Sequence, residues 1–165
     1  MDASTNEVTV PPLSNHKIAQ VAIAVQDIER AIEHYSALLG QPRPNIIETE
    51  PGSEVAMTYR GAPSNARALL AFFDLGGVQL ELIQPIGDDS AWAEGLREGG
   101  ETVHHLAFWT ENMRADKDAL EMQSVPMIQR GDMGEGQYAY FDGRARFGAM
   151  IELLEHRRTS LIDTP

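Results

Sequence analysis

Two short strings recur in this chain within a larger repeated pattern, and that recurrence narrows the folds open to it. Gln20-Val-Ala-Ile-Ala24 is matched by His105-Leu-Ala-Phe-Trp109, and Leu80-Glu-Leu-Ile83 by Ile151-Glu-Leu-Leu154. Between them the element signals run in one order, twice. Lys17 to Val25 alternates as a strand, with Ala19, Val21, Ile23 and Val25 on one face and Ile18, Gln20, Ala22 and Ala24 on the other. Asp27 is an N-cap, and Ile28, Ala31, Ile32, Tyr35, Leu38 and Leu39 follow at helical spacing until Gly40. Glu54 to Arg60, Arg67 to Leu75 and Val78 to Gln84 then read as strands. The second round has a strand ending at Trp109, a helix from Asn112 to Met122, and strands at Met127 to Gln129, Gln137 to Asp142 and Gly148 to Glu155. A short helix capped near Ser90 and stopped by Gly99-Gly100 joins the rounds.

Strand, helix, three strands, repeated, implies two copies of one unit that complete each other's sheet. The expectation is an α+β fold of two paired βαβββ modules, residues 17–86 and 101–156, in one domain spanning 17–157. Residues 1–16 are polar, carry Pro11-Pro12 and read as a tail or an arm; 158–165 read as a C-terminal tail.

Each copy sends one polar residue inward from its first strand and one from its last: Gln20 and Glu81, then His105 and Glu152. Strict alternation puts Val103, His105, Ala107 and Trp109 on one face, and His104, Leu106 and Phe108 on the other, where His104 reads as a structural residue. Singly, the inward residues have plainer readings: a hydrogen-bonded histidine, a salt-bridged glutamate, an amide on a backbone group. Together they are harder to dismiss. Burying two carboxylates on one sheet face costs several kcal/mol unless a cation or a proton compensates. One divalent metal ion would do so, and nitrogen and oxygen ligands suit zinc, cobalt, nickel or manganese. The chain has no cysteine, which excludes thiolate ligands and a cysteine nucleophile.

A formal net charge of −12 argues against nucleic acid as a partner. No apolar run reaches the ~20 residues needed to span a bilayer, and the N-terminal residues lack the form of a secretion signal. The expectation is a soluble cytoplasmic protein with a small-molecule substrate.

The first-strand motif Ile18 to Val25, the segment Leu80-Glu-Leu-Ile-Gln-Pro85 with Gly87-Asp-Asp-Ser90, the run Val103-His-His-Leu-Ala-Phe108 and Ile151-Glu-Leu-Leu-Glu155 together resemble the vicinal oxygen chelate superfamily of glyoxalases, epimerases, extradiol dioxygenases and bleomycin-resistance proteins. The likeness covers nearly all of Lys17 to Glu155, and is nearest to methylmalonyl-CoA epimerase. It implies a curved mixed sheet around a central metal cleft, ligands at Gln20, Glu81, His105 and Glu152, and Glu152 as catalytic base. The implied function is a metal-dependent isomerase that removes a proton alpha to a carbonyl or thioester, acting on an acyl-CoA. Two departures stand out. Epimerases usually have histidine where this chain has Gln20, and the Gln, Glu, His, Glu set is similar to that of animal-type glyoxalase I, which acts on a glutathione adduct. Their second acid/base glutamate falls near Asn65 or Ala66 here, with Glu54 as a substitute. A lyase of the glyoxalase kind and a non-enzymatic binding protein of the bleomycin-resistance kind are therefore the alternatives. The resemblance also implies a homodimer, with the site inside one chain or across two.

Trp109 and Met150 flank the inward face as candidate substrate-binding residues. Arg130 to Gly136 has the glycine content of a mobile cover or of a hairpin turn. Arg60, Arg67, Arg144 and Arg146 are candidate anchors for a carboxylate or for coenzyme A phosphates.

Overall fold

The computed structural model describes residues 10–156. The proposed tail 158–165 and residues 1–9 of the N-terminal arm lie outside the described residues. The first strand, β1 (Ile18–Ala24), leads into helix α1 (Ile28–Leu39). Asp27 caps α1 by accepting a hydrogen bond from the Arg30 N–H, and Gly40 ends it at φ +64° in the left-handed region. Then come β2 (Ile47–Glu48), a small hairpin β3 (Thr58–Tyr59) and β4 (Ala62–Pro63), and the long strands β5 (Arg67–Asp74) and β6 (Gln79–Ile86). Helix α2 (Ala91–Gly99) connects to β7 (Val103–Trp109), α3 (Met113–Met122), β8 (Met127–Met133), β9 (Gly136–Phe141), α4 (Arg144–Phe147) and β10 (Met150–His156).

Among the described residues ten strands form one sheet in the order β2-β5-β6-β1-β7-β10-β9-β8-β3-β4. The antiparallel β1/β7 pair lies at the junction of the modules, and β1/β6 and β7/β10 are parallel on either side of it. The two halves mirror one another about that junction, as the repeated strings require, and the sheet curls into a half-barrel. On the outer face α1 sets Ile28 and Ile32 against Phe73, Leu80 and Leu82. There α3 sets Leu120 against Phe141, Ile151 and Leu153. On the inner face α2 closes one end, with Ala91 and Trp92 packed among Ile83, Tyr138, Tyr140 and Met150. No helix among the described residues is long and apolar enough to cross a membrane.

One segment departs from the sequence expectation, and two readings left open there are resolved. Residues 54–60 contribute only the two-residue β3, which pairs with β8 of the opposite module (Thr58 with Arg130, Tyr59 with Gln129) instead of extending its own. Its turn, Arg60-Gly61, has both φ values positive (48° and 81°), the two-residue turn that matches strand twist. Residues 130–136 are a hairpin, because β8 runs to Met133 and β9 begins at Gly136. The described end of the N-terminal arm lies on the chain's own second module. Leu13 packs with the outer cluster, and the Ser14 N–H and O–H donate to the buried Asp116 carboxylate of α3.

Candidate metal centre

The parallel register of β1 with β6 sets Gln20 beside Gln79 and Ala22 beside Glu81. Across the junction Ala22 meets His105 and Gln20 meets Ala107; β10 then sets Met150 beside His105 and Glu152 beside Ala107. Glu81, His105 and Glu152 thus converge across small residues, since Ala22 and Ala107 are fully buried and leave the space between them open. One ligand atom from each of the three lies within 4.8 Å of the others. His105 Nε2 is 3.3 Å from Glu81 Oε2 and 3.1 Å from Glu152 Oε2. All three residues are buried, and His105 Nε2 and Glu152 Oε2 have no hydrogen-bond partner. Buried polar atoms in proteins are seldom orphaned, and a nitrogen and an oxygen left bare side by side fit a shared cation.

With no cation bound, a proton on the imidazole would offset part of the charge of the two carboxylates. Burial alone would lower the His105 pKa, but the adjoining Glu152 and Glu81 carboxylates outweigh it and push it up to about 9. Burial raises that of Glu81, against the pull of His105. A cation held there would compete with that proton for one position.

His104 corrects the strand reading. Between β1 and β7 the register steps from Ala22/His105 to Ile23/Val103, so His104 is the extra residue of a β-bulge and turns away from the Leu106/Phe108 face. Its ring packs against Tyr140 beside the ring of His105. His104 Nε2 is 2.9 Å from the Ala91 carbonyl, and its Nδ1 is 2.8 Å from His105 Nδ1. A carbonyl only accepts, so His104 donates through Nε2 and accepts at Nδ1, and His105 donates through Nδ1. The Nε2 lone pair of neutral His105 is thereby directed at the two carboxylates. Burial, and then the neighbouring His105 charge, hold the His104 pKa down to about 3, in keeping with a neutral ring. Gly95 of α2 makes the room: a Cβ there would stand 2.5 Å from His104 Cδ2.

A cavity of about 440 Å³ opens over the cluster, with Gln20, Glu81 and Glu152 in its wall. Gln20 donates through Nε2 to Gln79 Oε1 at 2.6 Å. Trp109 lines the cavity and stacks on His156, centroids 4.1 Å apart. Met150 does not line it, because its register position beside His105 puts it fully buried in the floor toward α2. Of the residues considered for a second acid/base, only Ala66 reaches the wall; Asn65 accepts hydrogen bonds from Ser53, and Glu54 is absent from the lining. The carboxylates that do line it toward β2 are Glu48 and Glu50. They escaped the sequence reading because a two-residue strand after Pro42 and Pro44 carries no periodicity.

Three of the four candidate arginine anchors are engaged. Arg67 pairs with Glu48. Arg60 and Arg144 both pair with the buried Glu94 of α2, at 2.6 and 2.7 Å, and the Tyr59 hydroxyl also donates to it. Despite its burial, these donors pull the Glu94 pKa down to about 2.

The family model for the Glyoxalase/Bleomycin resistance protein/Dioxygenase superfamily matches residues 19–141. The uncharacterized protein YqjC of Bacillus subtilis (strain 168) is 28% identical over 85% of this chain and 92% of its own length. The mitochondrial methylmalonyl-CoA epimerase of Bos taurus is 30% identical over 68% of this chain, which spans only 57% of that protein. A structure of methylmalonyl-CoA epimerase in complex with methylmalonyl-CoA and NH4+ superposes with a TM-score of 0.59 at 27% identity, covering 88% of this chain and 97% of that one. With a matching family model, a shared half-barrel and a duplicated strand order, this chain belongs to the glyoxalase/bleomycin resistance/dioxygenase superfamily, the vicinal oxygen chelate group that its sequence resembles.

Proposed function

We propose that the protein is a metal-dependent isomerase that removes and returns a proton alpha to a carbonyl or thioester, in the manner of methylmalonyl-CoA epimerase. The observation that carries this reading is the buried trio Glu81, His105 and Glu152, with a bare nitrogen and a bare oxygen beneath a substrate-sized cavity. A divalent ion held by these three, with Gln20 beside them, would supply Lewis acidity where negative charge develops on substrate oxygens. Glu152 is the proposed base. It lines the cavity, so its carboxylate can meet a substrate carbon as well as the ion. Glu81 and His105 hold position, the latter through its hydrogen bond to His104. For a proton returned to the opposite side of the carbon, Glu50 is the proposed partner, since it lines the same cavity while Glu48 is tied to Arg67. Similarity to epimerases, one of them solved with methylmalonyl-CoA, supports a thioester substrate.

The test is exchange of the alpha proton of methylmalonyl-CoA with deuterium in D2O, followed by proton NMR. Wild-type protein should exchange it and Glu152→Gln should lose at least ~100-fold in rate, the lower range for general-base catalysis; full exchange by the variant would remove the mechanism.

A second reading, a glyoxalase-type lyase, is favoured by the amide of Gln20 on the cavity wall. Methylglyoxal with glutathione, assayed beside methylmalonyl-CoA, separates the two. Protein that takes up no divalent metal on titration would instead point to a non-enzymatic binding role.

A further inference from the structure

The wall of the cavity restricts the substrate more narrowly than the metal centre does. Beyond Glu81 and Glu152 it is built of Leu70, Phe72, Ile83, Trp109, Met133 and Leu154. Among the described residues no lysine or arginine lines it, and its remaining charged side chains, Glu48, Glu50 and Asp132, are all acidic. Of the four arginines that sequence alone offers as anchors, three are committed elsewhere, Arg67 to Glu48 and Arg60 and Arg144 to Glu94, and Arg146 does not line the cavity. A carboxylate or phosphate lying against the apolar part of this wall would lose its water without meeting a lysine or arginine among the described lining residues, and Glu50 would repel it. An apolar group would gain by its contacts with these aliphatic and aromatic side chains. Trp109, fixed by stacking on His156, offers a rigid aromatic surface to a flat or branched group.

We propose that the part of the substrate enclosed by the cavity is charged only at its chelating end and presents an uncharged, apolar group, branched or aromatic, to the wall; the phosphates of a CoA thioester would lie outside it. This rests on the proton-abstraction reading and specifies which carbonyl acids or thioesters that site accepts. A second carboxylate on the body is what the wall rejects.

The experiment is calorimetric titration of the Zn2+-loaded protein with a matched pair of 2-oxo acids. 2-Oxoglutarate and 5-methyl-2-oxohexanoate share the chelating end and differ in a distal carboxylate against an isopropyl group. The branched acid should bind tighter by roughly tenfold or more, the discrimination an apolar pocket achieves over small changes of group. Phenylpyruvate should bind at least as tightly as the branched acid. Leu70→Arg, which adds a cation to the wall, should narrow or reverse the preference. Equal or tighter binding of 2-oxoglutarate by the wild-type protein, or binding of none of the three, overturns the proposal. Exchange of the C3 protons in D2O on the same samples keeps the two readings apart. The expected binding order without exchange removes Glu152 as base and leaves the cavity preference standing; exchange without the order does the reverse.

Discussion

A single inserted residue in β7 decides which nitrogen of His105 faces the two carboxylates. Without the bulge His104 would lie on the outer face with Leu106 and Phe108, and nothing would fix the His105 tautomer. With it, Ala91, His104 and His105 form a directed chain of hydrogen bonds that ends at the Nε2 lone pair. His104→Leu should therefore weaken Zn2+ or Co2+ binding by ~10- to 100-fold in a calorimetric titration, with circular dichroism unchanged. Gly95→Ala should move affinity in the same direction, since its methyl group would sit 2.9 Å from His104 Nε2. The positions of Glu81, His105 and Glu152 were legible because strand alternation leaves each only two faces to choose from. His104 was misassigned for the same reason: a bulge breaks the alternation and leaves no mark in a run of ordinary residues.

Among elements, α2 is more than the connector its sequence suggests. Its N-terminal turn supplies the carbonyl for His104, and Glu94 one turn on ties it to Arg60 of the β3–β4 turn and to Arg144 of α4. Glu94 is 2% exposed, and a glutamate in Trp-Ala-Glu-Gly gave no sign that two arginines from distant segments would find it. Its folded pKa of about 2 lies below the ordinary 4.5. The resulting stability is present in full above about 4.5 and is lost as pH falls toward about 2. Glu94→Gln should cost roughly 2 kcal/mol at neutral pH by urea unfolding, because Arg60 loses its carboxylate partner and Arg144 one of three, the others being Glu98 and Asp142. It should also flatten the dependence of stability on pH between those limits. The long elements α1, β5, β6 and β10 were readable from period and caps, whereas β2 and the β3–β4 hairpin, each strand two residues long, owe their form to the edges they pair with.

For the molecule as a whole, Glu81 comes from the first module and His105 and Glu152 from the second, so one chain brings the trio together. Metal uptake should reach one ion per chain and remain so on dilution, as measured by metal analysis after size-exclusion chromatography. Free Zn2+ at about 100 times its dissociation constant should add ~2.7 kcal/mol to folding stability. That is a rise in melting temperature of roughly 5–10 °C for a domain of this size, reversed by a chelator and absent in a Glu81→Gln/Glu152→Gln double variant.

The β3–β4 hairpin leaves its own half to finish the edge of the other, so the two halves are laced together and not merely placed side by side. A protease cut at Gly99-Gly100 would then yield fragments that hold on to each other as unlike partners. Neither fragment could replace its mate with a copy of itself, because only the first carries the strand that seals the second.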